Sequence, residues 1–283
     1  MKMELLPDAR PVKEPPHHLS AEDEQMIEEE LGEMAANGFV ERIRDPKWVF
    51  PFFVAKGKGR RKGKKRTAVD FTRLNTWLRV VNYPMSTMDD LIDSIPKGSL
   101  YISTIDGAKA CLQQGVEDPE KCLTIRGPRS SCWHFKGLPL GVSAAVVLFQ
   151  RQMKAIIAED LIAAGDRVYL DDIIVLSRTR HDHLALLDKV FESMLAAGMK
   201  IRLSRCSFMQ NEVEYLGYNL SGEGIEVAPE RIQALIDAPA PANGSGVRVL
   251  LGGLVMLRRF DHQIAEKTVF LNSLINSFNW GGE

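Results

Sequence analysis

The sequence lacks the features that mark a membrane-spanning, secreted or zinc-binding protein. No apolar run approaches the roughly 20 residues needed to cross a bilayer, and Met1-Lys2-Met3-Glu4 has no signal-peptide pattern. The four cysteines show neither the close paired spacing of a zinc site nor the density of a disulfide scaffold. We therefore expect reduced thiols and a soluble protein inside the cell.

The sequence also lacks an excess of charge of either sign. The formal net charge is −1 over 283 residues, so no global field attracts nucleic acid and any basic surface must be local. A chain of this length exceeds one average domain, which predicts two or three subdomains.

Two adjacent carboxylates interrupt an apolar segment that otherwise has the pattern of strand, turn and strand. Asp171 and Asp172 lie between Val168-Tyr169-Leu170 and Ile173-Ile174-Val175-Leu176. Burying an unpaired carboxylate is costly, so this pair faces water at a hairpin tip or holds a cation. An ordinary polar turn is the simpler interpretation. A third carboxylate on a neighbouring strand would favour the cation, and Asp106 ends an alternating segment just before Gly107.

A basic loop precedes these strands. Residues 56–66 contain eight Lys and Arg residues spaced by three glycines, and such a loop can follow phosphates. A nuclear-localisation-like patch and a solvated charge run are the alternatives.

Local signals predict several further elements. Ser20 caps a helix whose apolar stripe ends at Asn37-Gly38. Helical periodicity predicts helices over 144–160 and 181–197, and Pro229 begins another that reaches Ile236. Residues 201–208 have the pattern of a strand.

These motifs together resemble those of retroviral and gypsy-type LTR-retrotransposon reverse transcriptases, over roughly residues 11 to 280. Tyr169-Leu170-Asp171-Asp172 resembles the Tyr-X-Asp-Asp hairpin of that family. Residues 66–75 resemble its Arg-X-X-Val-Asp-aromatic-Arg-X-Leu-Asn segment, and residues 137–142 resemble its Met-Pro-Phe-Gly-Leu turn. Residues 214–218 resemble the Leu-Gly-His/Tyr hairpin called the primer grip.

The resemblance implies an α+β right-hand polymerase fold with an antiparallel palm sheet, β-rich fingers and a helical thumb. The corresponding boundaries are an extended lead-in over 1–18, fingers over 19–85 and 115–138, palm over 86–114 and 139–222, and thumb over 223–283. No motif of a protease, RNase H or integrase is expected within these residues.

The resemblance also implies an enzyme, an RNA-directed and DNA-directed DNA polymerase that copies a retroelement RNA into cDNA. Asp106, Asp171 and Asp172 would be catalytic and would bind two Mg²⁺ ions, with Mn²⁺ as the alternative and the backbone carbonyl of Gly107 as a further ligand. The residues expected at the incoming nucleotide are Arg66, Lys56, Lys58, Cys111 and Leu140. Those expected at the template and primer are Arg73, Asn75, Pro139, Gly141, Tyr169, Leu216, Gly217 and Tyr218.

The expected partners follow from that activity. They are an RNA template, a DNA primer, an RNA–DNA hybrid and dNTPs, with no membrane. A second copy of the chain and other Pol polyprotein products stay open as protein partners. The expected location is the cytoplasm, in a virus-like or ribonucleoprotein particle, with the nucleus as the alternative.

Four departures from the family pattern motivate competing hypotheses. Cys111 stands where the family usually has an aromatic residue that excludes a ribose 2′-hydroxyl, and Val146 replaces a proline. Arg205 replaces a lysine, and Met256-Leu257 replace two tyrosines. One alternative is a catalytically lapsed or domesticated fold that only binds nucleic acid or a partner. Another, suggested by Cys111 alone, is an RNA-dependent RNA polymerase or terminal transferase.

Overall fold

Three β-sheets and the helices packed on them make up the described part of the chain in this computed structural model. The described residues are 1–56, 65–79, 83–85, 88–95, 98–118, 120–157, 161, 167–261 and 263–277. The strands are β1 (Val40–Arg42), β2 (Phe50–Lys56), β3 (Lys65–Val69), β4 (Tyr101–Asp106), β5 (Thr124–Arg126), β6 (Cys132–Phe135), β7 (Arg167–Tyr169), β8 (Asp172–Ser177), β9 (Ser207–Gln210), β10 (Glu212–Tyr215), β11 (Tyr218–Ser221) and β12 (Ile225–Val227). The α-helices are α1 (Ala21–Ala36), α2 (Thr72–Asn75), α3 (Met88–Asp93), α4 (Ala110–Gln113), α5 (Ala145–Ile156), α6 (Arg180–Ala196), α7 (Pro229–Ile236), α8 (Gly244–Leu254), α9 (Ile264–Lys267) and α10 (Val269–Ser277).

The first sheet has the strand order β1-β6-β5-β2-β3, and only its β2–β5 pair is parallel. Helix α1 packs against it. The Ser20 hydroxyl accepts a hydrogen bond from the Asp23 N–H at 3.2 Å, which confirms the predicted cap. The apolar stripe of α1 joins a core that contains Trp48 and Phe50, and the helix ends at Asn37, before Gly38 at φ +75°.

The central sheet has the order β7-β8-β4-β9, and all its pairs are antiparallel. Strand β8 is buried on both faces. Ile173 and Val175 pack with helices α5 and α6, whereas Ile174 and Leu176 pack with the third sheet. Because successive side chains of a strand point to opposite faces, two separate cores explain why this strand is an unbroken apolar run.

The third sheet is the antiparallel meander β10-β11-β12. Helix α7 begins at Pro229 directly after β12 and ends at Ile236, as predicted. Met256 and Leu257, in the 3₁₀-helix Val255–Arg259 that follows α8, pack against the core under this sheet. The third sheet therefore connects the central sheet to the C-terminal helices.

Two predicted boundaries need correction. The strand predicted over 201–208 was wrong: residues Leu203–Arg205 form a 3₁₀-helix, and only Ser207–Gln210 pair with β4. Ile201 and Arg202 still contact the end of β4, through a bridge to Gly107 and a bond from the Arg202 N–H to the Asp106 carbonyl. The Cys206 N–H then bonds to the Leu203 carbonyl, so the backbone turns between this contact and β9. The helix predicted over 144–160 is observed over Ala145–Ile156 with Ile157 extended, and residues 158–160 lie outside the described part.

The helix predicted over 181–197 is confirmed within one residue, as α6. Its N-cap is Thr179, whose hydroxyl accepts a hydrogen bond from the Asp182 N–H at 3.2 Å. Among the described residues, no helix is long and apolar enough to span a membrane.

Candidate active site

The hairpin β7–β8 presents Asp171 and Asp172 at one end of the central sheet. Its last cross-strand pair is Tyr169 with Asp172, so Leu170 and Asp171 form a two-residue turn. Leu170 has φ +58°, a conformation that primed hairpin turns require and that a bulky residue normally avoids. Asp171 is exposed, whereas Asp172 and Tyr169 are half-buried.

The buried side chain of Gln150 holds this turn from behind. Its Oε1 accepts a hydrogen bond from the Leu170 N–H at 2.6 Å, and its Nε2 donates to the Val168 carbonyl at 2.9 Å. The amide thus satisfies one backbone donor and one backbone acceptor on either side of Tyr169. Gln150 carries no recognisable signal in the sequence, because it neighbours the apolar stripe of α5 and its partners lie 18 and 20 residues further along the chain.

Strand β4 brings Asp106 beside the two turn carboxylates. Asp106 pairs with Asp172 across the sheet, and the Gly107 N–H donates to the Asp171 carbonyl at 3.2 Å. Gly107 cannot carry a side chain here, since its Cβ would lie 2.6 Å from the Cβ of Ala110. The structure therefore brings together Asp106, Gly107, Asp171 and Asp172 from two distant segments of the chain.

Their electrostatics call for a cation. Burial, with the charges of Asp171 and Asp106, raises the pKa of Asp172 to about 6. Asp106 Oδ1 is buried and accepts no hydrogen bond from any described residue. Its Oδ2 lies 3.8 Å from Nη1 of Arg205, an arginine that is largely exposed. One long ion pair leaves the site with unbalanced negative charge.

The donor set suits a hard divalent cation such as Mg²⁺, because all its groups are oxygens. Within the described ranges, however, no three His, Cys, Asp or Glu side chains are gathered closely enough to hold a metal ion as they stand. The buried, unpartnered oxygen of Asp106 and the raised pKa of Asp172 fit a cation, and side-chain rotation about the fixed backbone would be needed to complete its ligands.

Cys111 lies next to these carboxylates. Burial, followed by the charge of Asp171, raises the pKa of the Cys111 thiol to about 12, so the group is neutral at pH 7. Its backbone carbonyl accepts a hydrogen bond from the Leu138 N–H at 3.3 Å. This bond connects the strand end at Asp106 with the turn at residues 139–141.

The turn at residues 139–141 has a buried proline followed by an exposed leucine. Leu140 is 72% exposed, and Gly141 has φ +102°. Asn75 fixes the turn: its Nδ2 donates to the Gly141 carbonyl at 2.9 Å and its Oδ1 accepts from the Ser143 N–H at 2.8 Å. Asn75 therefore joins helix α2 to this turn, and its amide bonds to the protein's own backbone.

The basic residues lie on the β2–β3 hairpin. Arg66 is exposed and pairs with Ala55 across the hairpin, and Lys56 ends β2. Lys58 lies outside the described residues. Lys65 bonds to Glu22 and Asp23 of α1, each at 2.8 Å. Arg73 is exposed on α2, 4.0 Å from Glu14.

The hairpin β10–β11 carries the residues predicted at the primer. Leu216 and Gly217 form its turn, with φ +50° and +86°. The Tyr215 hydroxyl donates to the Asp172 carbonyl at 3.5 Å, which connects this hairpin to the carboxylate strand. Tyr218 is 4% exposed and its ring lies 6.3 Å from that of Phe260, so the structure gives this ring a packing role.

Comparison with known proteins identifies the family. A family model described as reverse transcriptase (RNA-dependent DNA polymerase) matches residues 56–220, more than half of the chain. The Pol polyprotein of transposon 297 from Drosophila melanogaster is 28% identical over 254 residues, which is 88% of this chain and 24% of that protein. The Tf2-3 polyprotein of Schizosaccharomyces pombe is 26% identical over 89% of this chain and 18% of its own length. The chain thus spans about a quarter or less of these relatives.

Solved structures agree on the fold. A foamy viral protease–reverse transcriptase in complex with double-stranded DNA superimposes with a TM-score of 0.85 at 20% identity, over 95% of this chain and 46% of that one. The same type of protein in complex with an RNA/DNA hybrid gives 0.80 at 19% identity, over 95% of this chain and 36% of that one. These matches confirm the predicted right-hand polymerase fold, and with the family match they show that the chain belongs to the reverse transcriptase (RNA-dependent DNA polymerase) family.

Proposed function

We propose that this chain is an RNA-directed and DNA-directed DNA polymerase that works by two-metal nucleotidyl transfer. The observation that carries the proposal is the grouping of Asp106, Asp171 and Asp172 at one end of the central sheet, with a buried oxygen of Asp106 lacking any partner among the described residues. Burial, and then repulsion from the neighbouring carboxylates of Asp171 and Asp106, raises the pKa of Asp172, and a cation would relieve both.

Asp106 and Asp171 would hold two Mg²⁺ ions, with Asp172 as a secondary ligand and Mn²⁺ as a substitute. The reverse transcriptase family in general uses divalent metal ions, and the all-oxygen donor set here supports that chemistry. When bound, such ions lower the pKa of a primer 3′-hydroxyl and neutralise charge on the triphosphate and the departing pyrophosphate.

The protein's own part in the reaction is positioning. Gln150 fixes the turn that carries Asp171, and Gly107 keeps the backbone of β4 close to that turn. Asn75 fixes the turn whose exposed Leu140 would meet the nascent base pair. Small shifts of such groups cost rate steeply, because catalysis depends on reacting atoms being held at near-contact distance.

Nucleotide and nucleic acid would bind around this centre. The exposed guanidinium of Arg66, with Lys56 and Lys58, would bind the triphosphate. Cys111 would face the sugar, and the β10–β11 turn would hold the primer. The complexes of the similar foamy viral proteins with double-stranded DNA and RNA/DNA hybrid support an RNA template, a DNA primer and their hybrid as partners.

The subdomain boundaries and the location are part of this proposal. The first hydrophobic core lies under the first sheet, which supports fingers over 19–85 and 115–138. The second and third cores lie on the two faces of the central sheet and support a palm over 86–114 and 139–222, followed by a thumb over 223–283. The Pol polyprotein relatives support a cytoplasmic particle of a retroelement as the setting.

The test is template-dependent primer extension with an RNA template, dNTPs and Mg²⁺. Asp171→Asn is expected to lower kcat by about 10²- to 10³-fold, as loss of a key charge-stabilising group does in other enzymes. Asp188→Asn on the exposed face of α6 is the matched control and should leave the rate unchanged. Equal rates for the Asp171→Asn and wild-type chains would reject the proposal.

One observation favours a second candidate, a fold that binds nucleic acid without copying it. Arg205 lies where the family has a lysine, and it contacts Asp106. An arginine cannot donate a proton to pyrophosphate at neutral pH. Salt-dependent binding of an RNA–DNA hybrid by a wild-type chain that extends no primer would establish this second function. Efficient incorporation of ribonucleotides in the same assay would instead favour an RNA polymerase.

A further inference from the structure

The turn of the β10–β11 hairpin has an arginine lying directly on its backbone. A Cβ built on Gly217 would lie 1.9 Å from Cζ and 2.1 Å from Nη2 of Arg231. The guanidinium therefore occupies the space that a side chain at position 217 would fill. Gly217 is needed for a second reason as well, since its φ of +86° favours glycine.

Helix α7 sets Arg231 in this position. The helix starts at Pro229, and the Ala228 N–H just before it donates to the Gly217 carbonyl at 3.4 Å. The main-chain N–H of Arg231 in turn donates to the Ala228 carbonyl at 2.9 Å. The first turn of α7 is thus tied to the hairpin turn, which places the Arg231 guanidinium beside the Gly217 backbone.

The charge of Arg231 has no counter-charge in the described part of the chain. Its side chain is exposed and makes no hydrogen bond or ion pair with another described residue. Arg259, a second arginine beside this hairpin, lies in the 3₁₀-helix Val255–Arg259 and differs: it pairs with Asp93, and its Cζ lies 5.7 Å from the Tyr218 ring centroid. One cation beside the hairpin is neutralised, and the other keeps its donors available.

The chemistry of a guanidinium defines the ligand. Its fork of N–H donors matches the two oxygens of a phosphate, and it stays charged at all relevant pH values. The same hairpin contacts the Asp172 carbonyl through Tyr215, so this cation belongs to the carboxylate end of the central sheet.

We propose that Arg231 binds a backbone phosphate of the primer strand close to its 3′ end. The inference rests on the proposed function, in which the Leu216-Gly217 turn lies at the primer. Arg231 lies outside residues 56–220, the part of the chain that the family model matches, so the family motifs do not reach it. Contacts to phosphate fix the position of a duplex without reading its sequence.

The first test is the salt dependence of hybrid binding. The dissociation constant of an RNA–DNA primer–template is measured at several KCl concentrations for the wild-type, Arg231→Gln and Arg231→Lys chains. Loss of one phosphate contact should reduce the slope of log K against log salt by about 0.7 to 0.9 for Arg231→Gln. Arg231→Lys keeps the charge and should keep the slope. Arg180→Gln, at the start of α6 beyond the far end of β8, is the control and should match the wild type.

A second test locates the phosphate. Primers in which one linkage is replaced by a neutral methylphosphonate are compared, moving the replacement stepwise from the 3′ end. Replacement of one particular linkage near the 3′ end should weaken binding of the primer–template to the wild-type chain. The same replacement should have no effect on binding to the Arg231→Gln chain. Thermal unfolding of each variant checks that the hairpin is still folded.

The outcomes separate this inference from the proposed function. Suppose that the wild-type chain binds hybrid and extends primers. If Arg231→Gln keeps the wild-type slope, and no methylphosphonate that weakens wild-type binding is without effect on the variant, then only the role of Arg231 is overturned. A wild-type chain that does not bind hybrid at all rejects both. A wild type that binds without extension, with the slope lowered in Arg231→Gln, supports the phosphate contact and rejects the polymerase.

Discussion

Two hairpins meet near the carboxylates, and both place a leucine at positive φ in a two-residue turn. Leu170 has φ +58° and Leu216 has φ +50°. The β7–β8 turn carries two carboxylates and is held from behind by a buried amide, that of Gln150. The β10–β11 turn carries no charge of its own, and the guanidinium of Arg231 lies on it from outside.

The two turns also differ in geometry, since φ is positive at both Leu216 and Gly217 but only at Leu170 of the other turn, and they are associated with opposite charges. A carboxylate pair must be fixed without neutralising it, so a neutral side chain that bonds only to the backbone is suitable. A turn that is to approach phosphate can instead have an unpaired cation lying against it, as Arg231 lies against Gly217. The following predictions remove each restraint in turn, beginning with the largest expected effect.

Removing the restraint of the β7–β8 turn should damage catalysis and stability together. Gln150→Ala leaves the Leu170 N–H and the Val168 carbonyl without their partner, which should cost about 2–4 kcal/mol of unfolding free energy. Release of the turn that carries Asp171 should lower kcat by on the order of 10²-fold. Denaturant unfolding and single-turnover extension measure the two effects.

The control for Gln150 is Gln152→Ala on the same helix, a half-buried glutamine. It should change stability by less than about 0.5 kcal/mol and leave kcat unchanged. A Gln150→Ala chain with normal kcat would mean that the turn keeps its geometry without the amide, and the two hairpins would then differ only in charge.

Replacing the glycine of the β10–β11 turn should weaken hybrid binding, and it should lower the free energy of unfolding only moderately. Gly217→Ala places a Cβ in the left-handed region, at a cost of about 1–2 kcal/mol, and displaces the Arg231 guanidinium. The salt slope of hybrid binding should therefore fall by about 0.7 to 0.9, as in Arg231→Gln.

Gly224→Ala separates backbone strain from displacement of the arginine. Gly224 has φ +153° and nothing within 4 Å of its built Cβ, so alanine there is strained but displaces no side chain. It should lower stability and leave the salt slope unchanged. An equal change of slope in both variants would attribute the effect to the hairpin backbone, and Arg231 would lose its separate role.

The sequence predicted both hairpins but neither restraint. Tyr169 to Asp172 and Tyr215 to Tyr218 are short local patterns of apolar strands around a turn, and Ser20 and Pro229 are local helix signals. Asp106 could be found because it ends an alternating strand before a glycine. These signals depend only on neighbours in the chain, which is why they can be detected without a structure.

The residues beside each hairpin turn are distant from it in sequence. Only their tertiary partners distinguish them from ordinary residues of the same type. In the sequence, Gln150 is an ordinary polar residue of a helix and Arg231 is an ordinary surface arginine. Their relation to the two hairpins is seen only in the structure. Asn75 stays a predicted template or primer contact, and the bonds of its amide to Gly141 and Ser143 could not be predicted from the sequence. The break at Leu203–Arg205 likewise lies between two separate contacts with the β4 segment, at Ile201 and at Ser207–Gln210, which the apolar pattern does not indicate.

The smallest effect should be a pH dependence confined to the carboxylate hairpin. The pKa of Asp172 is raised to about 6 by burial and by Asp171 and Asp106. The folded-state pKa of Asp172 is above the unfolded value of about 3.9, so the folded chain binds the proton more tightly than the unfolded chain does. The stability that this proton contributes is present below pH 4 and is lost as pH rises to 6. In metal-free buffer, Asp172→Asn should therefore stabilise the chain by about 1 kcal/mol at pH 7, allowing for solvent screening of this half-exposed group.

That gain should vanish below about pH 3, where the carboxyl is protonated in both states, and denaturant unfolding at several pH values measures it. Asp188→Asn should show no such dependence, and neither should Arg231→Gln, because an arginine stays charged throughout this range. Added Mg²⁺ should stabilise the wild-type chain more than it stabilises the Asp172→Asn chain, since the substitution has already removed the repulsion that the cation relieves. If Asp172→Asn instead destabilises the metal-free chain at pH 7, the carboxylates do not repel one another. The contrast between a β7–β8 hairpin with repelling carboxylates and a β10–β11 hairpin with a cation against its turn then fails.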